Sequence, residues 1–285
     1  ATSYDVYYDN LTTPIANVKS SQWTISPQAV GGTHQWEVVA KNAYGTTAGP
    51  TWSFNVAALP APNVATGASP PNHAIISVKP ITLSWAPSAN ATSYDIYAGG
   101  QFYATVTTNS FGPISPIDGV HTWSIVSKNA DGSTPGPTWS FTMDTTAPTA
   151  SLDANQSPAS GSGAFDFTVT YADATSGLNT STFDSSDITV TGPNSFSANA
   201  SFVSAAGNVV TYAITAPGGA WNLSDNGTYT VNVNANEVKD NAGNPVAAAS
   251  VGTFDASAAY AYLAGDTLHI GYLPADRILG LSKFA

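Results

Sequence analysis

Two segments of the chain repeat each other, and this repeat constrains the fold more than any other feature. The stretch Ala1-Thr-Ser-Tyr-Asp-Val-Tyr7 recurs as Ala91-Thr-Ser-Tyr-Asp-Ile-Tyr97, and Gly49-Pro-Thr-Trp-Ser-Phe54 recurs as Gly136-Pro-Thr-Trp-Ser-Phe141. A repeat of this length indicates that one small domain occurs twice. Within each copy apolar residues alternate with polar ones, which is the period of a β-strand. The repeat therefore predicts two related domains built from antiparallel strands.

The composition favours an all-β protein and excludes several partners. Only 9% of the residues are charged, whereas Gly 24 and Pro 19 supply many turns, and there is no cysteine to form disulfides or thiolate sites. The net charge of −11 opposes binding to nucleic-acid phosphates and to anionic lipid headgroups. No apolar run approaches the roughly 18 residues that a membrane span needs. We therefore expect no nucleic acid and no membrane span.

Four motifs occur together and in order in the second copy. They are a strand that carries Trp85, then Ala91–Tyr97, Trp123–Ala130 and Gly136–Phe141. In this order they resemble fibronectin type III-like modules of bacterial and archaeal surface and secreted proteins. The resemblance implies a β-sandwich over residues 58–145 and a related module over 1–57 that lacks its first strands. We also predict a linker over Pro60–Asn72, followed by opening strands at 75–78 and 81–85.

A different unit begins at Asp144-Thr-Thr-Ala-Pro148. This opening, together with Ser186–Gly192 and Val238–Pro245, is similar to the bacterial immunoglobulin-like domains of large adhesins. Strands are predicted at 149–153, 164–171, 187–191, 196–203, 208–215, 227–234 and 250–254. Seven short strands are typical of a sandwich, which we place at residues 146–255. The fold class is thus predicted to be all-β, with tandem immunoglobulin-like/fibronectin III-like β-sandwiches in a string.

Residues that carry catalysis are scarce in this chain. The histidines stand alone in strand or linker contexts, and the glutamates lie in unrelated domains: His34, His73, His121, His269, Glu37 and Glu237. A nucleophile needs a neighbouring base and an orienting group, and glycoside hydrolysis needs paired carboxylates in a cleft. We therefore predict no catalytic residue and no enzyme activity.

The tryptophans could form either a sugar-binding platform or a core. Two of them recur at equivalent strand positions in both copies, as Trp123 and Trp139 in the second, which favours packing. Trp85 occupies the strand position where such sandwiches bury an aromatic ring. We predict that these three side chains are buried and that Trp221 is the one candidate for exposure and glycan binding.

Acidic residues concentrate in the third domain, where Lys239 is the only basic residue. Calcium prefers about six to eight oxygen ligands from carboxylates, amides and carbonyls. The resemblance to adhesin domains implies calcium at inter-domain linkers, where Asp144 falls. The candidate calcium ligands are Asp144, Asp153, Asp173 and Asp240, and no cofactor is required. The alternative is that these aspartates are solvated turn residues, since the sequence contains no EF-hand loop.

The two ends of the chain are predicted to be incomplete domains. The first copy has no counterpart of residues 60–90, and the tail over 256–285 completes no domain. Apolar residues alternate in the tail at Tyr260, Tyr262, Leu268, Ile270 and Tyr272. Either the chain is cut from a longer multi-module polypeptide, or the tail of one subunit donates the missing strands to the next.

These observations predict an extracellular structural or adhesive protein of a prokaryotic cell surface. In this hypothesis it assembles into a filament or layer by head-to-tail strand donation. Its main partners are then copies of itself, with surface glycans as further candidates. The alternative is that the modules are spacers or glycan-binding modules of a larger secreted carbohydrate-active enzyme.

Overall fold

The computed structural model describes residues 1–9, 12–25, 31–153, 157–264 and 267–272, and from residue 260 onward it describes the backbone alone. The regular structure of these residues consists of β-strands and short 3-10 helices, so the all-β prediction is confirmed. The chain forms two compact units. The first comprises residues 1–73, 81–114 and 121–140, and the second comprises 74–80, 115–120 and 141–285. The predicted borders at 57/58, 145/146 and 255/256 stay predictions.

The first module forms a single sheet within its described residues. Its strands are β1 (Ser3–Tyr8), β2 (Ala16–Val18), β3 (Gly32–Asn42), β4 (Gly45–Ala48) and β5 (Trp52–Val56). The order is β2-β1-β3-β4, and β5 pairs with the beginning of β3. All of these pairings are antiparallel. One face of this sheet carries the apolar side chains of the alternating pattern.

The second module adds a second sheet to the same arrangement. Its strands are β6 (Thr66–Ser69), β7 (Ala74–Ile76), β8 (Ile81–Ala86), β9 (Ser93–Ala98), β10 (Gln101–Val106), β11 (Ser110–Ile114), β12 (Gly119–Lys128) and β13 (Ser133–Met143). In the first unit, β10-β9-β12-β13 form one sheet and β11-β8-β6 form the other. In the second unit, β7 pairs in parallel with the last three residues of β13.

The predicted linker over Pro60–Asn72 is wrong in part, because it contains β6. This strand pairs antiparallel with β8. Its sequence, Thr-Gly-Ala-Ser, has small side chains and no apolar alternation, so it carries no strand signal of its own. Pairing with a neighbouring strand, rather than local preference, makes this segment extended.

The core of the second module contains the predicted tryptophans. Trp85 and Trp123 are each 2% exposed and Trp139 is 8% exposed, so the prediction that they are buried is confirmed. The Trp85 ring contacts Tyr94 edge-on at a centroid distance of 5.3 Å and lies 6.3 Å from Trp123. These contacts join the two sheets, because Trp85 belongs to β8 whereas Tyr94 and Trp123 belong to β9 and β12.

The two copies share one ion pair at equivalent positions. In the first module Lys41 Nζ lies 2.9 Å from Asp5 Oδ2, and in the second Lys128 Nζ lies 2.9 Å from Asp95 Oδ2. Both aspartates follow the tyrosine of the repeated Ala-Thr-Ser-Tyr-Asp motif. The repeat therefore preserves a side-chain contact between neighbouring strands in addition to the strand pattern.

The third domain is a sandwich of two four-stranded sheets in the second unit. Its strands are β14 (Thr149–Leu152), β15 (Ala164–Ala172), β16 (Ile188–Gly192), β17 (Phe196–Asn199), β18 (Ser201–Ala206), β19 (Val209–Thr215), β20 (Gly227–Val233) and β21 (Ala249–Ala256). The sheet orders are β14-β15-β19-β18 and β17-β16-β20-β21. Short 3-10 helices occur at Thr180–Thr182, Pro193–Ser195, Pro217–Gly219 and Leu223–Asp225.

The single strand predicted at 196–203 is in fact two strands on opposite sheets. β17 pairs with β16, whereas β18 pairs with β19. Between them Ala200 is buried, and its N–H donates to the carbonyl of Ile188 at 3.0 Å. A small buried residue thus marks the crossing from one sheet to the other, which a continuous alternating pattern does not reveal.

The tail forms an antiparallel hairpin of β22 (Ala259–Ala264) and β23 (Thr267–Tyr272). These two strands constitute a separate two-stranded sheet. In the part of the chain that the structure describes, no helix is long and apolar enough to cross a membrane.

Candidate functional site

An apolar groove lies on the exposed face of the first module's sheet. It has a volume of about 710 Å³. Its floor is made by side chains from three strands: Tyr4 and Val6 of β1, Trp36 and Val38 of β3, and Trp52 and Phe54 of β5. Tyr8 and Val18 line it as well, and Trp23 and Ile25 form part of another wall.

The floor residues of this groove correspond to core residues of the second module. By the sequence repeat, Tyr4 and Val6 match Tyr94 and Ile96, and Trp36 and Val38 match Trp123 and Ile125. All four residues of the second module are buried. Trp85 of β8, which is itself buried, covers two of them, Tyr94 and Trp123.

Equivalent tryptophans of the two copies differ in the exposed fraction of their side chains. Trp52 of the first module is 42% exposed, whereas its counterpart Trp139 is 8% exposed. Both tryptophans contact the tryptophan of the neighbouring strand, Trp52 at a centroid distance of 4.5 Å from Trp36 and Trp139 at 4.7 Å from Trp123, so the difference in exposure comes from the missing cover and not from this contact. A surface of this apolar character on a strand face is typical of a binding site or of a face that another chain covers.

The segment over residues 20–25 forms the wall beside an unfilled strand position. Tyr4 pairs with Val18 in the first module as Tyr94 pairs with Val106 in the second, so Val18 and Val106 are equivalent. Trp23 lies five residues after Val18, and Phe111 of β11 lies five residues after Val106. Trp23 therefore takes the place of Phe111. In the second module Phe111 pairs with Leu83 of β8. In the first module, the described residues 20–25 form no strand. The groove therefore lies where β8 and β6 lie in the second module.

Tyr8, which lines the groove, stacks on a histidine that lies outside the groove lining. His34 is 6% exposed, and its ring stacks on Tyr8 at a centroid distance of 5.4 Å. Its Nδ1 lies 2.9 Å from Asp9 Oδ2, and this contact lowers the pKa of Asp9. The Tyr8 hydroxyl is buried without a hydrogen-bond partner among the described residues, and burial raises its pKa. No spacing rule links His34 with Asp9 in the sequence, so this contact is visible only in the structure.

The predicted donor residues occupy the tail hairpin. Tyr260 and Tyr262 belong to β22, and Leu268, Ile270 and Tyr272 belong to β23, where Tyr262 pairs with His269. Their side chains lie outside the described part of the structure. Contact with the first module of another copy stays a prediction, since the structure contains one chain.

Three of the four candidate calcium ligands come together in the second unit. Asp144, Asp173 and Asp240 each offer a carboxylate oxygen within 4.8 Å of the others, and Asp144 and Asp240 are buried. The fourth, Asp153, lies apart and accepts a hydrogen bond from Thr170 Oγ1 at 3.0 Å.

Strand pairing explains why Asp153 is not part of this cluster. β14 and β15 are antiparallel, with Thr149 opposite Ala172 and Leu152 opposite Val169. Asp144, shortly before β14, and Asp173, directly after β15, therefore meet at one end of the pair. Asp153 follows β14 and lies farther along it.

Neutral donors surround the clustered carboxylates. Asp173 Oδ1 accepts from the N–H groups of Ser176 at 2.9 Å and Gly177 at 2.7 Å, and Asp144 Oδ2 accepts from Ser176 N–H at 3.0 Å. Asn244 donates to the Asp240 carboxylate and, through Nδ2, to the Asp144 carbonyl at 2.9 Å. No lysine or arginine in the described ranges forms an ion pair with these three aspartates. The arrangement is chemically suited to a hard cation such as calcium.

The prediction that Trp221 is exposed is wrong. It is 1% exposed and lies in the core of the third domain. Its ring packs edge-on against Tyr229 at 5.1 Å and against Phe254 at 6.3 Å. The segment around it has no strand pattern, yet Trp221 N–H donates to the carbonyl of Ser162 and fixes the loop against the domain. Trp221 is therefore a packing residue, and it offers no surface for a glycan.

Comparison with known proteins identifies no family for this chain. No family model and no curated protein matches the sequence. Among solved structures, the chain is similar to the three N-terminal domains of the bacteriophage RB49 Highly Immunogenic Outer Capsid protein, with a TM-score of 0.33, 11% identity and coverage of 89% of this chain and 85% of that one. A chimeric titin Z1Z2-Z1Z2 tandem, functionalized with a GRGDS peptide from fibronectin, matches with a TM-score of 0.23, 12% identity and coverage of 68% and 97%.

These likenesses are too low to carry an argument about function. The class of the protein rests on its own strands and cores, which define tandem β-sandwich modules.

Proposed function

We propose that this chain is a non-enzymatic, extracellular structural or adhesive protein of a prokaryotic cell surface, and that it assembles into a filament or layer by head-to-tail strand donation. The open groove of the first module is the observation that carries the proposal. Its floor has the residues of a sandwich core, and in the second module the same positions are covered by a second sheet.

The occupant we propose is the β22–β23 hairpin of another copy. The groove corresponds to the position of β8 and β6, which are themselves an antiparallel pair. The tail supplies an antiparallel pair of the required kind. Its sequence Thr267-Leu-His-Ile-Gly-Tyr-Leu-Pro274 parallels Thr82-Leu-Ser-Trp-Ala-Pro87 of β8. β23 would then take the place of β8, and β22 would take the place of β6.

Strand donation of this type combines two sources of affinity. Backbone hydrogen bonds extend a sheet, and apolar side chains enter a preformed groove. Because the donor and the acceptor are different surfaces, contact between copies is heterologous and propagates unless the ring closes. The result is a linear polymer or, with lateral contacts, a layer.

The alignment of β23 with β8 specifies which residues should face each other. In the second module Ser84 pairs with Ser110 of β11. His269 matches Ser84, and Gln22 matches Ser110. The proposal therefore places Gln22 of one copy opposite His269 of the next.

Disulfide trapping tests this pairing in the full chain, which contains no native cysteine. The double variant Gln22→Cys with His269→Cys should form a ladder of disulfide-linked multimers on mild oxidation, visible on a non-reducing gel. The matched control, Gln22→Cys with Gly271→Cys, moves one thiol two residues along the strand and should cross-link poorly. Monomers alone, or a bond formed only within one chain, would overturn strand donation. Immunogold labelling of intact source cells tests the surface location.

A further inference from the structure

A second group of carboxylates meets in the third domain and shares no residue with the first. Asp184 and Asp187 lie on the turn before β16, and Glu237 lies between β20 and β21. Each offers a carboxylate oxygen within 4.8 Å of the others. Asp187 is fully buried, whereas Asp184 is exposed and Glu237 is partly exposed.

Only one of the two oxygens of the Asp187 carboxylate accepts hydrogen bonds among the described residues. Its Oδ2 accepts from the Tyr212 hydroxyl at 2.6 Å and from the Asp184 N–H at 2.9 Å. Its Oδ1 is buried and has no hydrogen-bond partner among the described residues. An unpaired buried carboxylate oxygen is costly, so it indicates a site that takes a further group. Burial raises the pKa of Asp187, as expected for a buried carboxylate that has no positive charge beside it.

The neighbouring Ser186 cannot satisfy both of the other carboxylates. Its Oγ lies 2.5 Å from Asp184 Oδ1 and 2.8 Å from Glu237 Oε2. A hydroxyl has one proton to donate, so only one of these two contacts is a hydrogen bond at any moment. In the other contact, a lone pair of Ser186 Oγ faces a carboxylate oxygen without a proton between them, and the Asp187 carboxylate lies nearby. No lysine or arginine in the described part of the chain forms an ion pair with this group.

We propose that Asp184, Asp187 and Glu237 form a second calcium site, separate from the cluster of Asp144, Asp173 and Asp240. Buried Asp187 supplies the inner ligand, and the two more exposed carboxylates supply the outer ones. Calcium fits because every ligand is a hard oxygen, the set includes no histidine or cysteine, and the exposed side leaves room for water ligands. Occupancy ties the turn before β16 to the segment that carries Glu237, in addition to their existing contact through Ser186.

The test is a calcium titration of the intact 285-residue chain after removal of metal with EDTA, followed by calorimetry or equilibrium dialysis. The main variant is Glu237→Gln, which keeps the side-chain size and removes one charge at a partly exposed position. It should lose one bound calcium or weaken that binding event by about tenfold or more. Asp240→Asn should retain this event and lose the one at the other cluster. Asp255→Asn, an exposed aspartate of β21, should bind like the native chain.

A second measurement keeps the proposal falsifiable if a variant folds poorly. In amide NMR spectra of the native chain, calcium should shift the signals of Ser186 and Asp187 as well as those near Asp240. A native chain that binds no calcium at millimolar concentration overturns the proposal. So does a Glu237→Gln isotherm that superimposes on the native one, or a set of shifts confined to the segments around Asp173 and Asp240.

Discussion

Trp123 shows how much of the second module depends on one side chain. Its ring lies 6.3 Å from Trp85 and 4.7 Å from Trp139, so it touches both the opposite sheet and its own. Nothing in the described core could fill the volume of an indole if it were removed without rearrangement. The three tryptophans therefore act as a unit that holds the sandwich together.

Truncation of this ring should destabilise the module strongly. We expect Trp123→Ala to reduce the free energy of unfolding by about 3 to 5 kcal/mol, because a large cavity replaces buried apolar surface. Urea titration followed by fluorescence measures the change. Phe102→Ala is the matched control, since Phe102 is an aromatic residue of the same module that is 58% exposed. An unchanged unfolding midpoint for Trp123→Ala would contradict the assigned role.

Asp118 gives the second unit a pH-dependent contact. Its carboxylate accepts from Lys79 Nζ at 2.9 Å, from the Thr145 N–H at 3.0 Å and from Thr146 Oγ1 at 2.8 Å. The Lys79 ammonium, followed by the threonine donors, holds the pKa of Asp118 well below its usual range. A carboxylate with a lowered folded-state pKa stabilises the fold above its unfolded pKa of about 4, and this stabilisation is lost as the pH falls.

We expect Asp118→Asn to lower the melting temperature at neutral pH. The difference from the native chain should shrink as the pH drops below about 4, because Asp118 of the unfolded native chain then takes up a proton, and it should vanish only when the folded carboxyl is protonated as well. Calorimetric scans over a pH series measure both effects. Asp166→Asn, at an exposed position of β15, serves as the control. A difference that stays constant down to strongly acidic pH would rule out the ionised carboxylate as its cause.

At the scale of elements, three separate segments supply the Asp144 cluster. The turn before β14, the turn after β15 and the segment around Asp240 are joined by hydrogen bonds such as Asn241 N–H to the Gly177 carbonyl at 2.9 Å. A cation at this point would bind all three segments only in the folded domain. Binding of this kind raises stability by mass action.

Calcium should therefore raise the melting temperature of the native chain relative to EDTA. A free concentration of about one hundred times the dissociation constant corresponds to about 2.7 kcal/mol for one site. Asp240→Asn should reduce the shift, whereas Asp153→Asn should leave it unchanged, since Asp153 lies apart from the cluster. Scanning fluorimetry gives the comparison directly. Identical melting curves in EDTA and in millimolar calcium would remove the calcium hypothesis.

The strands also differ in how well the local sequence pattern predicts them. β15 and β20 alternate apolar and polar residues, and both occur where that pattern predicts a strand. β6 has no such pattern, and the segment at 196–203 has one that hides a change of sheet at Ala200. Local periodicity identifies a strand whose one face is buried, but the partner of a strand is decided by distant residues.

At the scale of the whole molecule, strand donation predicts the effect of removing the tail. Deletion of residues 259–285 should abolish polymers, because the donor hairpin is lost while the groove remains. A synthetic 259–285 peptide should then bind the truncated chain and raise its melting temperature. Light scattering and negative-stain microscopy measure the polymers.

The shorter deletion of residues 273–285 is the control for this experiment. It keeps β22 and β23 and should leave polymers intact. A full-length chain that stays monomeric at high concentration would contradict strand donation. That result would favour the alternative that further strands of a longer polypeptide cover the groove.

The sequence by itself determined the repeat, the all-β class and the burial of Trp85, Trp123 and Trp139. These features follow from short-range periodicity and from comparison of one copy with the other, both of which can be read along the chain. The sequence also named three aspartates that the fold brings together, although it could not exclude Asp153.

Only the tertiary structure decided the positions that depend on distant neighbours. Trp221 is buried although its segment has no strand pattern. The carboxylates of Asp144 and Asp240 lie close together, as do those of Asp187 and Glu237, although no local period relates these residues. The identity of the side chains that line the groove likewise became visible only in the structure. The physical reason is that burial and electrostatic environment are set by which strands pack together, and that packing is a property of the whole fold.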